Sequence, residues 1–407
     1  MCPCLKEALL KKTILILLVL GLVVAACGGD TTETTADTGT ATTAGAVETT
    51  AGSTETTAGS AETTAGAEGM DALIAAAQEE GTLTTIALPH DWCNYGGVIE
   101  GFKAKYGLDV NELAPDAGSA DELEAIRANQ GSTGPQAPDV VDIGLAFGPD
   151  AKEEGLLQPY MVETWDDIPD DAKDPEGFWY GDYYGVLAFE VNADVVENVP
   201  QTWADLLKPE YAGQIALAGD PRVSSQAISA VFASGLATGG SLDDAQAGLD
   251  FFAQLAESGN LVPVIAESGT VSSGETPITI RWTYNALANR DTNADIADIQ
   301  VVVPSDSGRY AGVYVQGISA YAPHPNAAKL WMEYLYSDEG QNLWLDGYCH
   351  PIRYEALVAA DAVPQEQLDR LPDVEGAVFP TLEQIQAASE LITTQWDTEV
   401  GVNVGGG

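Results

Sequence analysis

The stretch LTTIALPHDWCNYGGVIEGFKAKYGLDVNELA, residues 83–114, carries the pattern that indicates the fold class. Its short apolar start, LTTIA, predicts a strand, and VIEGFKAKYG (98–107) has the spacing of an amphipathic helix that ends at a glycine. LDVNEL (108–113) predicts the next strand. DELEAIRANQ (121–130) then predicts a helix and PDVVDIGL (138–145) a buried strand. Strands that alternate with helices predict an α/β fold, with a parallel sheet covered on both faces.

Two loops follow predicted strands at their carboxyl ends. LPHDWCNYGG (88–97) follows the first strand, and GLAFGPD (144–150) follows the third. Open α/β sheets bind ligands beyond the carboxyl ends of their strands, so we expect both loops to face one crevice. In the first loop Trp92 and Tyr95 can stack on a ligand and Asp91 can bind a cation, although Trp92 also suits simple core packing.

Length and charge limit the classes of function. A chain of 407 residues that is 45% apolar allows about two domains with sizeable cores. The formal net charge is −46, with 16 Lys and Arg residues against 62 Asp and Glu. So few cations cannot neutralise a run of phosphates, and nucleic acid is therefore excluded as a partner.

The N-terminus predicts export and a lipid anchor. Three lysines precede an apolar segment at 13–26, which is the pattern of a secretory signal. The apolar segment is shorter than the roughly 20 residues that a spanning helix needs. The following VAAC, residues 24–27, resembles the bacterial lipobox. That resemblance implies that residues 1–26 are a signal peptide and that Cys27 carries the lipid.

A low-complexity segment follows the anchor. The unit VETTAGS, TETTAGS, AETTAGA repeats through residues 47–67 and has almost no large apolar side chain. Such a sequence cannot bury enough surface to offset its chain entropy. Residues 27–69 are therefore predicted to be a flexible, acidic tether between the membrane and a globular part.

Two further phrases carry a family resemblance. TWADLLKPEYAGQIALAGDPR (202–222) and AGVYVQGISAYAPHPNAAKLWMEYLYSDEGQ (311–341) resemble the extracellular solute-binding proteins of ABC importers, in the branch for iron, polyamines, thiamine and phosphonates. The resemblance implies the two-lobed type II periplasmic-binding-protein fold, closed by ligand about a hinge. It implies two hinge crossings, near 185–192 and 312–321. Lobe 1 is then 70–188 plus 318–407, and lobe 2 is 189–317.

The resemblance and the residues together give the remaining candidate ligand contacts. In FWYGDYYG (178–185), strand alternation lets one of the two adjacent tyrosines, here taken as Tyr184, reach the ligand. The turn at 220–225 offers Asp220, Arg222, Ser224 and Ser225 at a helix start, which suits an anion, although one serine there can equally be an ordinary N-cap.

The family places further contacts at the end of ITIRWTYNA (278–286) and on the second crossing. Trp282 and Tyr284 lie at the first place and Tyr314 at the second. Ferric-ion members of the branch have two adjacent tyrosines where this chain has TYNA, with one. Ferric iron is therefore less expected as the ligand than an organic solute, unless Tyr183 or Tyr184 takes the place of the missing tyrosine.

Once the signal peptide is removed and Cys27 is lipidated, Cys93 and Cys349 remain. An even pair in an exported domain favours a disulfide. Two free thiols, or a zinc site formed with His90 and His350, are the alternatives; adjacent ligands such as Cys349 and His350 fit zinc spacing poorly. We expect the disulfide and no metal.

These observations predict the solute-binding component of an ABC importer: a monomeric, lipid-anchored, extracytoplasmic protein without a cofactor. Its partners are permease subunits and a small polar solute such as a polyamine, phosphonate or sugar phosphate. The alternative is a secreted hydrolase or transferase on the same fold. The sequence contains no G-x-S-x-G, P-loop or HExxH motif to support an enzyme.

Overall fold

The computed structural model describes residues 67–371 and 374–405. The predicted signal peptide, Cys27 and nearly all of the predicted tether lie outside the described residues. Within the described part, no helix is both long enough and apolar enough to span a membrane.

The globular part alternates helices and strands as the sequence predicts. The helices are α1 (Ala67–Glu80), α2 (Tyr95–Tyr106), α3 (Ser119–Ala128), α4 (Phe147–Glu153), α5 (Ser225–Ala237), α6 (Gln246–Glu257), α7 (Ser268–Ser273), α8 (Thr283–Thr292), α9 (Pro325–Leu335), α10 (Asp338–Asp346), α11 (Tyr354–Ala359), α12 (Gln365–Leu368) and α13 (Leu382–Glu399). The strands are β1 (Thr82–Ile86), β2 (Asp109–Leu113), β3 (Val140–Gly144), β4 (Leu157–Gln158), β5 (Tyr180–Asn192), β6 (Ile215–Leu217), β7 (Leu261–Ile265), β8 (Ile278–Trp282), β9 (Ile299–Val302), β10 (Ala311–Ser319) and β11 (His350–Pro351).

The first sheet region consists of β1 to β4, β10, β11 and the first half of β5. β1 and β2 pair in parallel, from Thr82 opposite Asp109 to Ile86 opposite Leu113. The backbone N–H of Asp139 donates to the carbonyl of Thr84 at 2.8 Å and brings β3 beside β1. β3 and β4 pair antiparallel with β10, and so this region is mixed rather than purely parallel.

The second sheet region consists of β6 to β9 and the second half of β5. β6 pairs in parallel with β7 and β8, while β5 runs antiparallel to β8 and β9. The parallel direction predicted from the sequence therefore holds for the strands joined by helices. It does not hold for β5, which enters from the first region and runs against its neighbours.

β5 connects the two sheet regions as one continuous strand of 13 residues. Up to Val186 it pairs with β10, and from Leu187 onward it pairs with β8. The change of partner falls inside the crossing predicted at 185–192. Gly185 and Gly312 are paired at this point, and a Cβ on them would lie 2.5 Å from the Tyr284 ring and 2.2 Å from the Trp282 ring, respectively. Glycine is needed at both positions because aromatic rings from the second region press onto the connecting strands.

The last helix, α13, packs against α5 and α6 of the second region. The ring centroids of Trp396 and Phe252 are 5.8 Å apart, and the Trp396 ring is fully buried. Before α13, Val378 forms a bridge with Tyr310, next to the start of β10. The C-terminal segment therefore runs past the connecting strands and ends on the second region.

The apolar spacing of NAAKLWMEYLYSDEGQNLWLDG (326–347) predicts one long helix, but the structure has two helices there. α9 ends at Leu335 and α10 begins at Asp338, after Ser337, whose hydroxyl accepts a hydrogen bond from the N–H of Gly340 at 3.1 Å. An N-cap of this kind satisfies donors at the start of a new helix and so stabilises the break. Helical periodicity continued through the break, which is why the sequence alone suggested one helix.

Candidate functional site

A cleft of about 620 Å³ opens where β1, β2, β6, β7 and β8 end and their following loops begin. Its walls come from both sheet regions. The lining residues that carry polar or aromatic side chains are Asp91, Trp92, Asp116, Ser119, Asp121, Glu122, Asp142, Asp220, Ser224, Ser225, Gln226, Glu267, Ser268, Arg281, Asn285, Asn289 and Tyr314. This is the location that strand ends favour in α/β folds, and the volume suits a small molecule.

The loop after β1 reaches this cleft with Asp91 and Trp92. A disulfide between Cys93 and Cys349 fixes it, with the two Cα atoms 5.5 Å apart. The side-chain amide of Asn94 donates to the carbonyl of Leu343 at 3.0 Å. The loop that carries Asp91 and Trp92 is therefore attached to the end of α10.

The zinc alternative for the two histidines has no structural support. Nε2 of His90 pairs with Glu112 at 2.7 Å, whereas the buried ring of His350 stacks on Tyr184 with centroids 4.8 Å apart. Burial lowers the pKa of His350 to about 4, so this ring is neutral. Among the described residues, no group of three or more His, Cys, Asp or Glu side chains could hold a metal ion.

Trp92 is the centre of an aromatic cluster at the cleft floor. Its indole N–H donates to the hydroxyl of Tyr183 at 2.6 Å. Its ring makes edge contacts with Tyr284 at 5.4 Å and Tyr314 at 5.3 Å, measured between centroids. The rings of Tyr183 and Tyr314 are stacked at 5.7 Å. Trp92 and Tyr314 line the cleft, and the other rings support them from below.

Buried carboxyl groups lie directly under this cluster. Oδ2 of Asp142 accepts hydrogen bonds from the hydroxyls of Tyr183 at 2.6 Å and Tyr95 at 2.8 Å. The backbone N–H of Asp142 donates to Glu122 at 2.9 Å. Tyr95, predicted as a ligand contact, is thus fully buried, and it donates a hydrogen bond to Asp142 instead of lining the cleft.

The second wall of the cleft contains one arginine in an internal network. Nε of Arg281 lies 3.0 Å from Oε2 of Glu190, a fully buried carboxylate. Its NH2 group donates to the carbonyl of Ala266 at 2.9 Å. The amide of Asn289 donates to the other oxygen of Glu190. The charge of Arg281 is therefore largely balanced inside the wall.

The predicted anion turn at 220–225 reaches the cleft only in part. Asp220, Ser224 and Ser225 line it, whereas the Arg222 side chain does not. The guanidinium of Arg222 forms ion pairs with Asp220 at 2.7 Å and Asp397 at 3.2 Å and also contacts the C-terminal tail. Arg222 thus holds the C-terminus in place, and Ser224 makes no side-chain cap.

The remaining predicted contacts lie behind the cleft wall. Tyr184 packs against His350 and Phe379. Trp282 and Tyr284 are fully buried and support the aromatic cluster. None of these three lines the cleft, unlike Tyr314.

Sequence reasoning passed over several lining residues, including Glu122, Asp142, Glu267 and Asn289. Asp142 did have a sequence signal, since it is the charged position in the buried strand VVDIG. A charge at such a position is rare without a functional or structural partner. The others are ordinary polar residues at helix starts and helix faces, which no local pattern distinguishes.

The cleft is strongly acidic. Seven of its lining residues are Asp or Glu and one is Arg. Of these carboxylates, Asp220 is paired with Arg222, and the lining arginine is itself paired with Glu190. The potential inside the cleft is therefore negative and attracts cations.

A second hollow of about 400 Å³ lies away from these strand ends, with Lys152, Lys173 and Trp179 in its wall. Both lysines are engaged, Lys152 with Asp174 at 2.7 Å and Lys173 with Asp170 at 3.1 Å. Most of the surface that lines this hollow is apolar, and the hollow is open to solvent. It has no convergent polar groups comparable with those of the cleft.

Comparison with known proteins identifies the family. The family model of the bacterial extracellular solute-binding proteins matches residues 136–375, which is more than half of the chain. The chain is 29% identical over 267 residues to an uncharacterized protein of Haemophilus influenzae, covering 60% of this chain and 70% of that one. It is 25% identical over 297 residues to the probable ABC transporter periplasmic-binding protein y4fP of Sinorhizobium fredii, covering 69% and 73%.

Solved structures share the fold at low sequence identity. The periplasmic binding protein AfuA of Actinobacillus pleuropneumoniae, with fructose-6-phosphate bound, gives a TM-score of 0.63 at 23% identity over 79% of this chain and 98% of that one. Iron-bound HitA of Pseudomonas aeruginosa gives 0.57 at 19%, over 79% and 99%. A putative spermidine/putrescine ABC transporter protein of Listeria monocytogenes gives 0.58 at 16%, over 78% and 99%.

The chain therefore belongs to the bacterial extracellular solute-binding proteins. The predicted fold, α/β with the two lobes of type II periplasmic binding proteins, is confirmed. The predicted function, the solute-binding component of an ABC importer, is also confirmed, and the family places the protein outside the cytoplasm.

Proposed function

We propose that the protein captures a small organic cation of the diamine or polyamine class in its cleft and delivers it to an ABC permease. The observation that carries this proposal is the charge of the lining, seven carboxyl side chains against one paired arginine. A bound ammonium group would gain charge-assisted hydrogen bonds to these carboxylates.

The aromatic cluster supports the same ligand class. Trp92 and Tyr314 line the cleft with their rings 5.3 Å apart and set edge to face. Aromatic faces attract ammonium groups through the ring quadrupole, most strongly where water is excluded. A cleft of about 620 Å³ is also large enough for a chain of several methylene and amine groups.

Anionic ligands fit this lining less well. The arginine expected to bind an anion, Arg222, pairs with Asp220 and Asp397. A sugar phosphate such as that bound to AfuA would bring negative charge beside Asp91, Asp116 and Asp121 and be repelled. This protein and AfuA share a fold, but a shared fold does not imply a shared ligand, because the residues that line the cleft determine which ligand binds.

Ferric iron, the cargo of HitA by its title, also fits less well. Hard Fe(III) is bound by phenolate oxygens, yet neither Tyr183 nor Tyr284 lines the cleft. The hydroxyl of Tyr183 is already committed as a donor to Asp142.

We propose lobe boundaries that differ from the sequence-based division in two places. β10 pairs along its whole length with β3, β4 and β5, which favours a second crossing before Ala311. α13 packs on α5 and α6, which favours its assignment to the second lobe. The cleft then lies between the lobes, and ligand contacts to both walls favour the closed form.

A lipid anchor on Cys27, followed by a tether up to residue 69, completes the proposal. The lipobox-like VAAC sequence and the repeats support it. A monomer held at the membrane in this way can meet its permease partner without diffusing away.

A thermal-shift and calorimetry panel tests the ligand class. Putrescine, spermidine and thiamine represent cations, fructose 6-phosphate and a phosphonate represent anions, and ferric citrate represents iron. A ligand at 100 times its Kd adds about 2.7 kcal/mol of stability, which raises the melting temperature by several degrees. We expect stabilisation by at least one amine and none by the anions.

Two outcomes would contradict the proposal. Stabilisation by the sugar phosphate or by iron alone would show that the acidic lining does not select the ligand. Turnover of a responding compound, followed by mass spectrometry, would favour the alternative of a secreted hydrolase or transferase. The variant Lys152→Ala, in the second hollow, is the matched control and should respond as the wild type does.

A further inference from the structure

Three buried carboxyl groups lie together beneath the cleft floor. They belong to Glu122 on α3, Asp142 on β3 and Asp182 on β5, each at most 4% exposed. Glu122 accepts the backbone N–H of Asp142 at 2.9 Å. The amide of Gln316 donates to Asp182 at 2.9 Å and to the hydroxyl of Tyr95 at 2.8 Å, and that hydroxyl in turn reaches Asp142. One hydrogen-bond network therefore connects the three acids.

Neutral groups surround this network. The side chains that face Asp142 are the phenols of Tyr95 on α2, Tyr183 on β5, Tyr284 on α8 and Tyr314 on β10, with the amide of Gln316 behind them and the carboxyl groups of Glu122 and Asp182 beside it. Among the described residues, no Lys, Arg or His side chain is bonded to any of the three acids. Three buried anions without a counter-ion are costly, and such groups hold protons instead.

Asp142 has one oxygen free for a ligand. Its Oδ2 accepts two phenolic hydrogen bonds, while Oδ1 is buried and has no partner. Asp142 and Glu122 line the cleft, whereas Asp182 does not, and of the two lining acids Asp142 is the one with a buried oxygen that lacks a partner. A buried oxygen without a partner at the wall of a cleft is a position for a donor that arrives with the ligand.

We propose that the ammonium group of the ligand binds at Oδ1 of Asp142 and replaces the proton that this carboxyl group holds in the empty protein. The exchange balances: the protonated carboxyl and R–NH₃⁺ give a carboxylate–ammonium pair and one H⁺ released to solvent. This inference rests on the proposed cation-binding function. It makes Asp142 the residue that selects a positively charged ligand, and it makes the affinity for that ligand depend on pH.

The direction of the pH dependence follows from burial. Burial raises the pKa of Asp142 to about 7, although the hydrogen bonds that Tyr183 and Tyr95 donate to this carboxyl group act to lower it. Burial also raises the pKa of Glu122 and of Asp182 well above the usual range, so these two keep their protons near neutral pH. As pH falls below about 7, a larger fraction of the protein carries this proton, which the ligand must displace, and the affinity for the ligand falls.

Calorimetry with putrescine on the full mature protein tests the exchange. Putrescine keeps both of its charges over the range from pH 5.5 to 8, so the protein alone supplies the proton. Titrations at pH 6.5 in phosphate and in bis-Tris, which differ in ionisation enthalpy, should show release of about 0.8 proton, the protonated fraction at that pH of a group titrating near 7. The affinity should be about 30-fold weaker at pH 5.5 than at pH 8 for a single group titrating near 7.

Two variants locate the proton. Asp142→Asn should bind putrescine more weakly and lose most of the pH dependence and proton release. Asp91→Asn, at an exposed carboxylate of the same cleft, should weaken binding yet keep the pH dependence. Melting temperatures of both empty variants show whether they fold, and the wild-type proton count needs neither variant.

The outcomes separate the two proposals. If putrescine, spermidine and thiamine all fail to bind at any pH, the proposed function is wrong and the proton exchange falls with it. If putrescine binds without proton release and equally well at pH 5.5 and pH 8, the cleft takes a cation and the role of Asp142 is overturned. Proton release that persists in Asp142→Asn would overturn the assignment to this residue.

Discussion

Trp92 and Asp142 meet at one hydroxyl group, that of Tyr183, which accepts from the indole and donates to the carboxylate. The aromatic floor of the cleft and the carboxyl groups beneath it are therefore one hydrogen-bonded unit. A change at Trp92 alters the ligand surface directly, and it also frees the phenol that holds Asp142 in position.

We expect Trp92→Ala to weaken amine binding about 10-fold, since a desolvated cation–aromatic contact contributes up to about 2 kcal/mol. Isothermal titration with putrescine or spermidine measures the loss. Trp165→Ala is the matched control: Trp165 is also half-buried and packs its ring at 5.1 Å on Tyr180, but it does not line the cleft. Equal losses in the two variants would show that Trp92 acts through general stability and not through the ligand.

Trp92 and Asp142 also differ in how well the sequence predicts them. Trp92 was predicted because it lies in a loop after a strand, a position that local pattern identifies. Asp142 was not, although its place in an apolar strand marked it. Tyr184 and Tyr95 have side chains suited to a ligand contact, but Tyr184 stacks on His350 and Tyr95 donates to the buried Asp142. Which way a tyrosine of β5 points depends on the strands that pair with it, and those come from distant parts of the chain.

At the scale of the elements, the loop after β1 is held by the end of α10. Cys93 and Cys349 are separated by 256 residues in the chain, and their bond fixes the loop next to Gly347. A Cβ on Gly347 would lie 2.3 Å from the backbone carbonyl carbon of Cys93, so the loop and the end of α10 are in direct contact. The position of the loop after β1 therefore depends on a helix from a distant part of the sequence.

Replacing both cysteines, as Cys93→Ala with Cys349→Ala, should lower the free energy of unfolding by about 2–5 kcal/mol. Urea unfolding with and without a reductant measures it, and the reduced wild type should match the double variant. Amine affinity should fall too, because Asp91 and Trp92 lose their fixed loop. Unchanged affinity in a destabilised variant would mean that the contact with α10 alone positions the loop.

At the scale of the whole molecule, charge and anchoring act together. The chain carries a formal net charge of −46, which keeps the protein soluble and repels it from anionic membrane surfaces. A lipid on Cys27 would counter that repulsion, although stable attachment takes more than one acyl chain. The family places the protein outside the cytoplasm, where such an anchor would keep it near its permease.

We expect Cys27→Ser to release the protein from the membrane fraction and to abolish labelling by an alkyne fatty acid. Detergent phase partitioning and in-gel fluorescence measure the two effects. Cys4→Ser is the control, because that cysteine lies before the predicted cleavage point and its loss should change neither result. Retention of the Cys27→Ser protein at the membrane would contradict the lipid anchor.

Local patterns and composition are enough to predict the class of the protein, because alternating strands and helices, a signal-like N-terminus, extreme acidity and family phrases are all local or compositional features. Which side chains line the candidate site depends on tertiary contacts. Asp142, Glu122 and Asp182 come from three separate elements, and Arg222 turns to the C-terminal tail because Asp397 and Asn403 lie there. Local spacing fixes which residues can share a face of one element. Charge balance in a cleft depends on groups that lie far apart in the sequence, such as Arg222 and Asp397 at a separation of 175 residues, and folding alone sets those contacts.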